Sequence, residues 1–230
     1  MIIGTGLVAS AFTPYSLSKD PNIIIFASGV SNSRETNNAE FSRERDLLLK
    51  TLEQNRDKSF FYFSTCSVAD PQLRTSPYVA HKIAMETLVR SASEYAIFRL
   101  PQVVGKTSNP NTLTNYLYQH IKSRDLFQVW THASRNIIDV DDVASIVSHL
   151  QSSRKTHNVT VNIACPFSIP ISRLVAIFEL ILNTKANYTL VAAGGSYPID
   201  ATITCQAAQE LGVTFDEMYI EKLLRKYYSE

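Results

Sequence analysis

Tyr78 and Lys82 stand four residues apart in Tyr78-Val79-Ala80-His81-Lys82. On a helix that spacing puts both side chains on one face, one turn apart. A free tyrosine titrates at about 10, which makes it a poor acid or base at neutral pH. An ammonium group one turn away favours the phenolate and brings it toward a useful range. The same residues also suit a plain surface helix, with Tyr78 packed and Lys82 solvated. Ser64-Thr65-Cys66-Ser67 precedes them, at the end of the apolar run Phe60 to Phe63. Ligands of open parallel sheets sit at the carboxyl ends of the strands, so a hydroxyl there can bind a substrate carbonyl or alcohol oxygen. It can equally cap a turn.

Gly4-Thr5-Gly6-Leu7-Val8-Ala9 is the third candidate. Glycines between a strand and a helix allow a tight turn and close approach of the backbone to a pyrophosphate. The helix start then offers its amides to the anion. The string is G-x-G-x-x-A, which any glycine turn between strand and helix also produces. A dinucleotide fingerprint carries a selecting residue at the end of its second strand. Here Asn22 to Ala27 runs into Ser28-Gly29, and no Asp or Glu stands at its end.

The remaining polar residues have plainer readings. His81 points away from Tyr78 on the helix and reads as a surface residue. His120, His132 and His157 lack metal-ligand spacing, so no metal site is expected. Asp139, Asp141 and Asp142 cap and start a helix, where negative charge is favoured. Arg135 either reaches a substrate diphosphate, for which a planar guanidinium is suited, or is a structural surface arginine. Trp130 reads as core.

These residues need a scaffold, and the hydrophobic pattern supplies one. Met1 to Ile3, Asn22 to Ala27, Ser59 to Ser64 and Ala96 to Leu100 read as strands; continuous apolar runs such as Ile23 to Ala27 suit strands buried on both faces. Helical patterns fall between them, from about Ala39 to Gln54 and from Tyr78 to about Tyr95. Further on, Leu113 to Lys122, Asp139 to Leu150, Ile169 to Leu182, Cys205 to Leu211 and Asp216 to Tyr228 are helical. Phe127 to Trp130, Val159 to Ala164 and Tyr188 to Ala192 are strand-like. Such alternation predicts an α/β fold, a parallel sheet covered on both faces. One domain over residues 1–230 is expected, with residues from about 105 onward contributing a substrate-binding lobe.

Bulk properties narrow the function classes. The chain has 230 residues, 45% hydrophobic and 19% charged, which suits a globular domain with a sizeable core. Formal net charge is +1 and the cations are scattered, which predicts neither nucleic-acid nor membrane binding. Cys66, Cys165 and Cys205 fit neither a disulfide framework nor a zinc motif, and a reduced, cytoplasmic protein is expected.

Taken in order, these strings resemble the extended short-chain dehydrogenase/reductase family, in particular its nucleotide-sugar epimerases, dehydratases and reductases. Gly4 to Ala9 is similar to the glycine-rich turn, with Ile3 where a first glycine is usual. Ile25-Phe26-Ala27-Ser28-Gly29 resembles the small-residue strand that lies along the cofactor. Phe63 to Val68 resembles the strand ending in the catalytic Ser or Thr, which places Thr65 there. Pro77-Tyr78-Val79-Ala80-His81-Lys82 matches P-Y-x-x-x-K. Phe98 to Gly105 is similar to the next strand and its R-x-x-N-V-x-G ending, with Gln102 for Asn. Arg135 to Val143 resembles R-D-x-x-x-V-x-D-V, and Asn162-Ile163-Ala164 before a helix also fits.

The resemblance implies a Rossmann-like doubly wound sheet and a nucleotide-sugar epimerase or ketoreductase using NAD or NADP. Thr65, Tyr78 and Lys82 would be catalytic. Gly4, Gly6, Leu7, Val8, Ala27, Ser28, Gly29, Tyr78, Lys82, Pro101 and Val103 would hold the cofactor, and Thr65, Gln102 and Arg135 the substrate. A homodimer and a place in polysaccharide precursor synthesis are further implications. Far fewer residues than usual separate the glycine turn from the small-residue strand, so the second and third strands are expected to be missing, with the residues that grip the adenosine ribose. Cys66 and Ser67 replace the acidic pair of the sugar 4,6-dehydratases, which argues against that dehydration. The alternative is a non-catalytic relative, a binding or regulatory protein with weakened dinucleotide binding.

Overall fold

The computed structural model describes residues 1–229. The chain opens with β1 (Ile2–Ile3), α1 (Leu7–Phe12), β2 (Ile23–Phe26) and α2 (Asn38–Gln54). Next come β3 (Ser59–Thr65), α3 (Pro77–Val89), β4 (Glu94–Leu100), β5 (Gln102–Val104) and α4 (Leu113–Ser123). The order continues through β6 (Phe127–Trp130), β7 (Ser134–Arg135), β8 (Ile137–Asp139), α5 (Val140–Ser152) and β9 (Val159–Asn162). It closes with β10 (Ile169–Pro170), α6 (Ile171–Leu182), β11 (Tyr188–Val191), α7 (Thr202–Leu211) and α8 (Tyr219–Tyr228).

The main sheet is parallel throughout, in the order β1-β2-β3-β4-β9. One row of residues crosses it from edge to edge: Ile2 beside Ile25, Ile25 beside Phe61, Phe61 beside Ala96, Ala96 beside Val159. Side chains alternate across a strand, and the two faces divide accordingly. Ile23, Ile25, Phe61, Phe63 and Phe98 pack under α1, α5 and α7. Ile24, Phe26, Phe60, Tyr62 and Ile97 pack under α2 and α3. Burial on both faces is why these strands read as unbroken apolar runs rather than alternating ones.

This is the α/β parallel sheet that the alternation predicts, and the shortened Rossmann-like doubly wound sheet that the resemblance implies. β1 is the edge, and among the described residues no strand lies outside it. The second half builds a separate core from α4, α6 and α8 around Leu117, Phe127, Leu174, Phe178 and Leu224. It carries three small strand pairs, β5 with β8, β6 with β11 and β7 with β10. No helix among the described residues is long and apolar enough to cross a membrane.

α3 is the element that carries Tyr78 and Lys82. Ser76 caps it, its side chain accepting from the Val79 amide, and Pro77 occupies the first turn. The helix ends at Val89, short of the expected Tyr95. Glu94 and Tyr95 pair instead with Ser59 and Phe60, so β4 runs beside β3 for seven residues. A ladder along the whole of β3 outweighs the weak helical preference of Ser91-Ala92-Ser93.

Candidate active site

A cleft of about 630 Å³ lies beyond the carboxyl ends of the main-sheet strands. Its wall brings together Gly6, Leu7 and Val8 after β1, Ala27, Ser28 and Gly29 after β2, and Thr65 ending β3. Tyr78 and Lys82 reach it from α3, Pro101, Gln102 and Val103 from the chain after β4, and Arg135 from β7. Gly4 is the exception. It stands behind the wall with φ +122°, and a Cβ there would meet the Ala27 carbonyl oxygen at 2.5 Å. Its glycine serves the backbone crossing between β1 and β2 rather than the cleft.

Thr65 ends β3 in extended conformation, and its hydroxyl accepts from the Ser67 amide at 3.1 Å. The Thr65 and Tyr78 side chains both line the cleft. Burial pushes the Tyr78 phenol up from its ordinary value, the neighbouring Thr65 hydroxyl opposes this, and the Glu44 charge adds to the rise. Lys82, the expected source of a lowering, is itself paired with Glu44 and Tyr62. The ammonium does not serve Tyr78 as an uncompensated charge, because it is already paired.

That pairing was not legible as a site. Glu44 on α2 is wholly buried, and its Oε1 accepts from Lys82 Nζ at 2.9 Å and from the Tyr62 hydroxyl at 2.7 Å. Its Oε2 accepts from the Val30 amide at 2.7 Å and lies 3.0 Å from His81 Nε2. Lys82 Nζ also donates to the Tyr62 hydroxyl at 3.2 Å. Burial alone would drive the Glu44 carboxyl up; the Lys82 charge, with the bonds from His81, Val30 and Tyr62, outweighs it and holds the group at about 2. His81 is thus no surface residue. Its side chain is 7% exposed and stacks on Phe41 at 4.6 Å, because α2 crosses the face of α3 that helical geometry left open. The sequence signal was a charge on an apolar stripe: Glu44 follows Phe41 by three residues and precedes Leu48 by four.

Other parts of the wall were also missed. Tyr197, on the loop after β11, is half-buried in the wall with Ser67 and feels the charge of Arg135. Arg135 donates from Nη1 to the Ser134 and Gly195 carbonyls, at 2.8 and 3.2 Å. Trp130, expected in the core, is 39% exposed and lines the cleft, since β6 belongs to a two-stranded pair with an open face. Cys66 turns away from the cleft toward the Arg99 carbonyl, and burial pushes its thiol up to about 12. Asp139 caps α5 as expected and is further tied to Lys226 and Tyr227 of α8.

Residues 45–164, more than half of the chain, match the sequence model of the NAD dependent epimerase/dehydratase family. The chain belongs to this family. Thr65, Tyr78, Lys82, Gln102 and Arg135 of the family member lie inside the matched segment, while the glycine turn and Ala27 to Gly29 precede it. No curated protein matches the sequence significantly.

Solved structures extend the likeness in fold to nearly the whole family member. UDP-glucuronic acid 4-epimerase from Bacillus cereus, in complex with UDP-glucuronic acid and NAD, aligns with a TM-score of 0.72 at 16% identity, over 98% of this chain and 77% of that one. UDP-N-acetylglucosamine 4-epimerase from Methanobrevibacter ruminantium M1 aligns with a TM-score of 0.72 at 17% identity, over 99% and 81% of the two chains. RMD from Pseudomonas aeruginosa, complexed with NADPH, gives 0.68 at 17% identity, over 97% and 85%.

Proposed function

We propose that this chain is an NAD(P)-dependent epimerase or ketoreductase acting on a nucleotide sugar, with Thr65, Tyr78 and Lys82 as its catalytic residues. The observation that carries this reading is the placement of Thr65 and Tyr78 together at the sheet's carboxyl edge, in a cleft that also holds the glycine turn and Arg135. Tyr78 exchanges a proton with a sugar hydroxyl or carbonyl at its own hydroxyl, and Thr65 hydrogen-bonds the reacting oxygen. Arg135 and Gln102 orient the substrate, the guanidinium suiting a diphosphate.

The residues present fit a dinucleotide in part. A Cβ on Gly6 would meet nothing within 4 Å, so the turn leaves its backbone open to a pyrophosphate. Lys82 donates to Glu44 and Tyr62 and keeps an N–H for a ribose hydroxyl. Leu7, Val8, Ala27, Ser28, Gly29, Pro101 and Val103 form the adjoining wall. When bound, a nicotinamide cofactor supplies or accepts the hydride. NAD and NADP are both compatible with this wall.

Calorimetric titration with NAD, NADH, NADP and NADPH tests the reading, with Gly6→Trp as the blocked control. Binding that the control abolishes supports it and names the cofactor; absence of binding for all four at millimolar concentration overturns it. A non-catalytic binding role would then lead, and the two-residue edge strand β1 is the observation that favours it.

A further inference from the structure

The proposed reaction sits at Thr65 and Tyr78 and the proposed diphosphate at Arg135, so the sugar must lie in the stretch of cleft between them. Two segments wall that stretch. β3 ends at Thr65, and the chain leaves it through a tight 3-10 turn (Cys66–Ala69) that delivers Asp70 to the cleft. Asp70 is fixed there: its amide donates to the Ser67 carbonyl at 3.1 Å, and its Oδ1 accepts from the Gln72 amide at 2.9 Å. The second segment is the loop after β11. A Cβ on Gly195 would lie 2.6 Å from Gln72 Nε2, so this loop rests against the turn that Asp70 caps. The same loop offers the Gly195 carbonyl to Arg135 at 3.2 Å and places Tyr197 within range of the charges of both Asp70 and Arg135. Asp70, Tyr197 and Arg135 therefore stand along one side of the cleft.

Asp70 is the one carboxylate among the described residues of this wall. Capping occupies one of its oxygens, and among the described residues none donates to Oδ2 or pairs with its charge. The cations of the wall are committed elsewhere. Lys82 is bound to Glu44, and Arg135 gives Nη1 to two carbonyls. Arg34 and Arg43 come from the loop after β2 and from α2, nearer the glycine turn than the chain after β3. A carboxylate oxygen readily accepts from a sugar hydroxyl. Set against a second carboxylate it repels, and such like-charge contacts give specificity by rejecting the wrong partner.

We propose that Asp70 is the specificity-determining residue for the sugar: its free oxygen accepts from a hydroxyl of an uncharged hexose, and its charge turns hexuronic acids away. The inference rests on the nucleotide-sugar reading of the cleft and names the sugar class within it.

Calorimetric titration with matched nucleotide sugars tests it, each pair differing only in a hydroxymethyl or a carboxylate group on the hexose. The probes are UDP-glucose with UDP-glucuronic acid, dTDP-glucose with dTDP-glucuronic acid, and GDP-mannose with GDP-mannuronic acid. The wild type is expected to bind the neutral member about tenfold more tightly, the order of a like-charge contact in a half-exposed place. Asp70→Asn keeps an oxygen for the Gln72 amide, so the urea midpoint is expected to stay unchanged. In that variant the preference is expected to fall below about threefold, through tighter binding of the uronate. Where Asp70→Asn does not fold, Asp70→Ser, which also caps, takes its place. A wild-type preference below about threefold, or one that the variant leaves intact, overturns the proposal while the nucleotide-sugar reading stands. Failure of every probe to bind overturns that reading and the proposal with it, so binding of the neutral members tells the two failures apart.

Discussion

Gly29 and Lys82 meet at the floor of the cleft, where the glycine's missing Cβ is the space that the ammonium fills: an added carbon would lie 2.5 Å from Nζ. The lysine end is ordinarily free to move aside, but here Glu44 and Tyr62 pin it in a buried place. Gly29→Ala should therefore destabilise the fold by about 1–3 kcal/mol, the usual cost of overpacking. Urea unfolding measures that cost, and calorimetry should show weaker dinucleotide binding in the same variant.

The two glycines of the first turn should behave differently from each other. Gly4 combines φ +122° with a 2.5 Å approach to the Ala27 carbonyl, so Gly4→Ala is expected to cost about 2 kcal/mol or more. Gly6→Ala meets open space and should leave stability within about 0.5 kcal/mol of wild type. Its loss should appear only in dinucleotide affinity. Thermal melts beside ligand titrations separate the two.

Acid should weaken the protein through two buried carboxylates. Glu44 is held at about 2. Glu86 is also held low: burial opposes ionisation, but bonds from Arg99 and Ser64 overcome it, with Arg99 donating at 2.9 and 2.7 Å. Both folded values lie below the ordinary value of about 4.3. Their contribution is thus fully present above that pH and is lost as pH falls through the depressed folded values, about 2 for Glu44. Urea unfolding repeated from about pH 6 down to about pH 3 should show stability declining, and Glu44→Gln should flatten that slope. At neutral pH, Glu86→Gln should cost about 2 kcal/mol, because it leaves the partly buried Arg99 short of its counter-charge.

Tyr78→Phe should preserve folding and dinucleotide binding while lowering turnover by about a hundredfold to ten-thousandfold, the range for loss of an acid–base group. Thr65→Val should lower turnover in the same direction and raise KM for the sugar nucleotide. Steady-state kinetics with each variant checks both. A Tyr78→Phe enzyme that retains full activity would remove the tyrosine from the mechanism.

The sequence alone determined the sheet and the residues along its carboxyl edge. Ile23 to Phe26 and Phe60 to Phe63 are apolar on every residue, which only strands covered on both faces require, and Tyr78 to Lys82 is a local spacing that any helix enforces. The shortened edge was legible too, as chain length between two turns. What the sequence could not supply were pairings across elements. Glu44 and Lys82 are 38 positions apart, and Glu44 is one of seven charged residues among the seventeen of α2. Only the crossing of α2 over α3 buries that carboxylate, draws His81 inward and removes Lys82 as a free charge beside Tyr78. Tyr197 and Trp130 reach the cleft by the same kind of route, from loops and strand pairs whose positions depend on the second core. Helical and strand periods are set by bonds between near neighbours. The charge state of a buried site is set by whichever distant groups share its low-dielectric space, and only the tertiary structure chooses those.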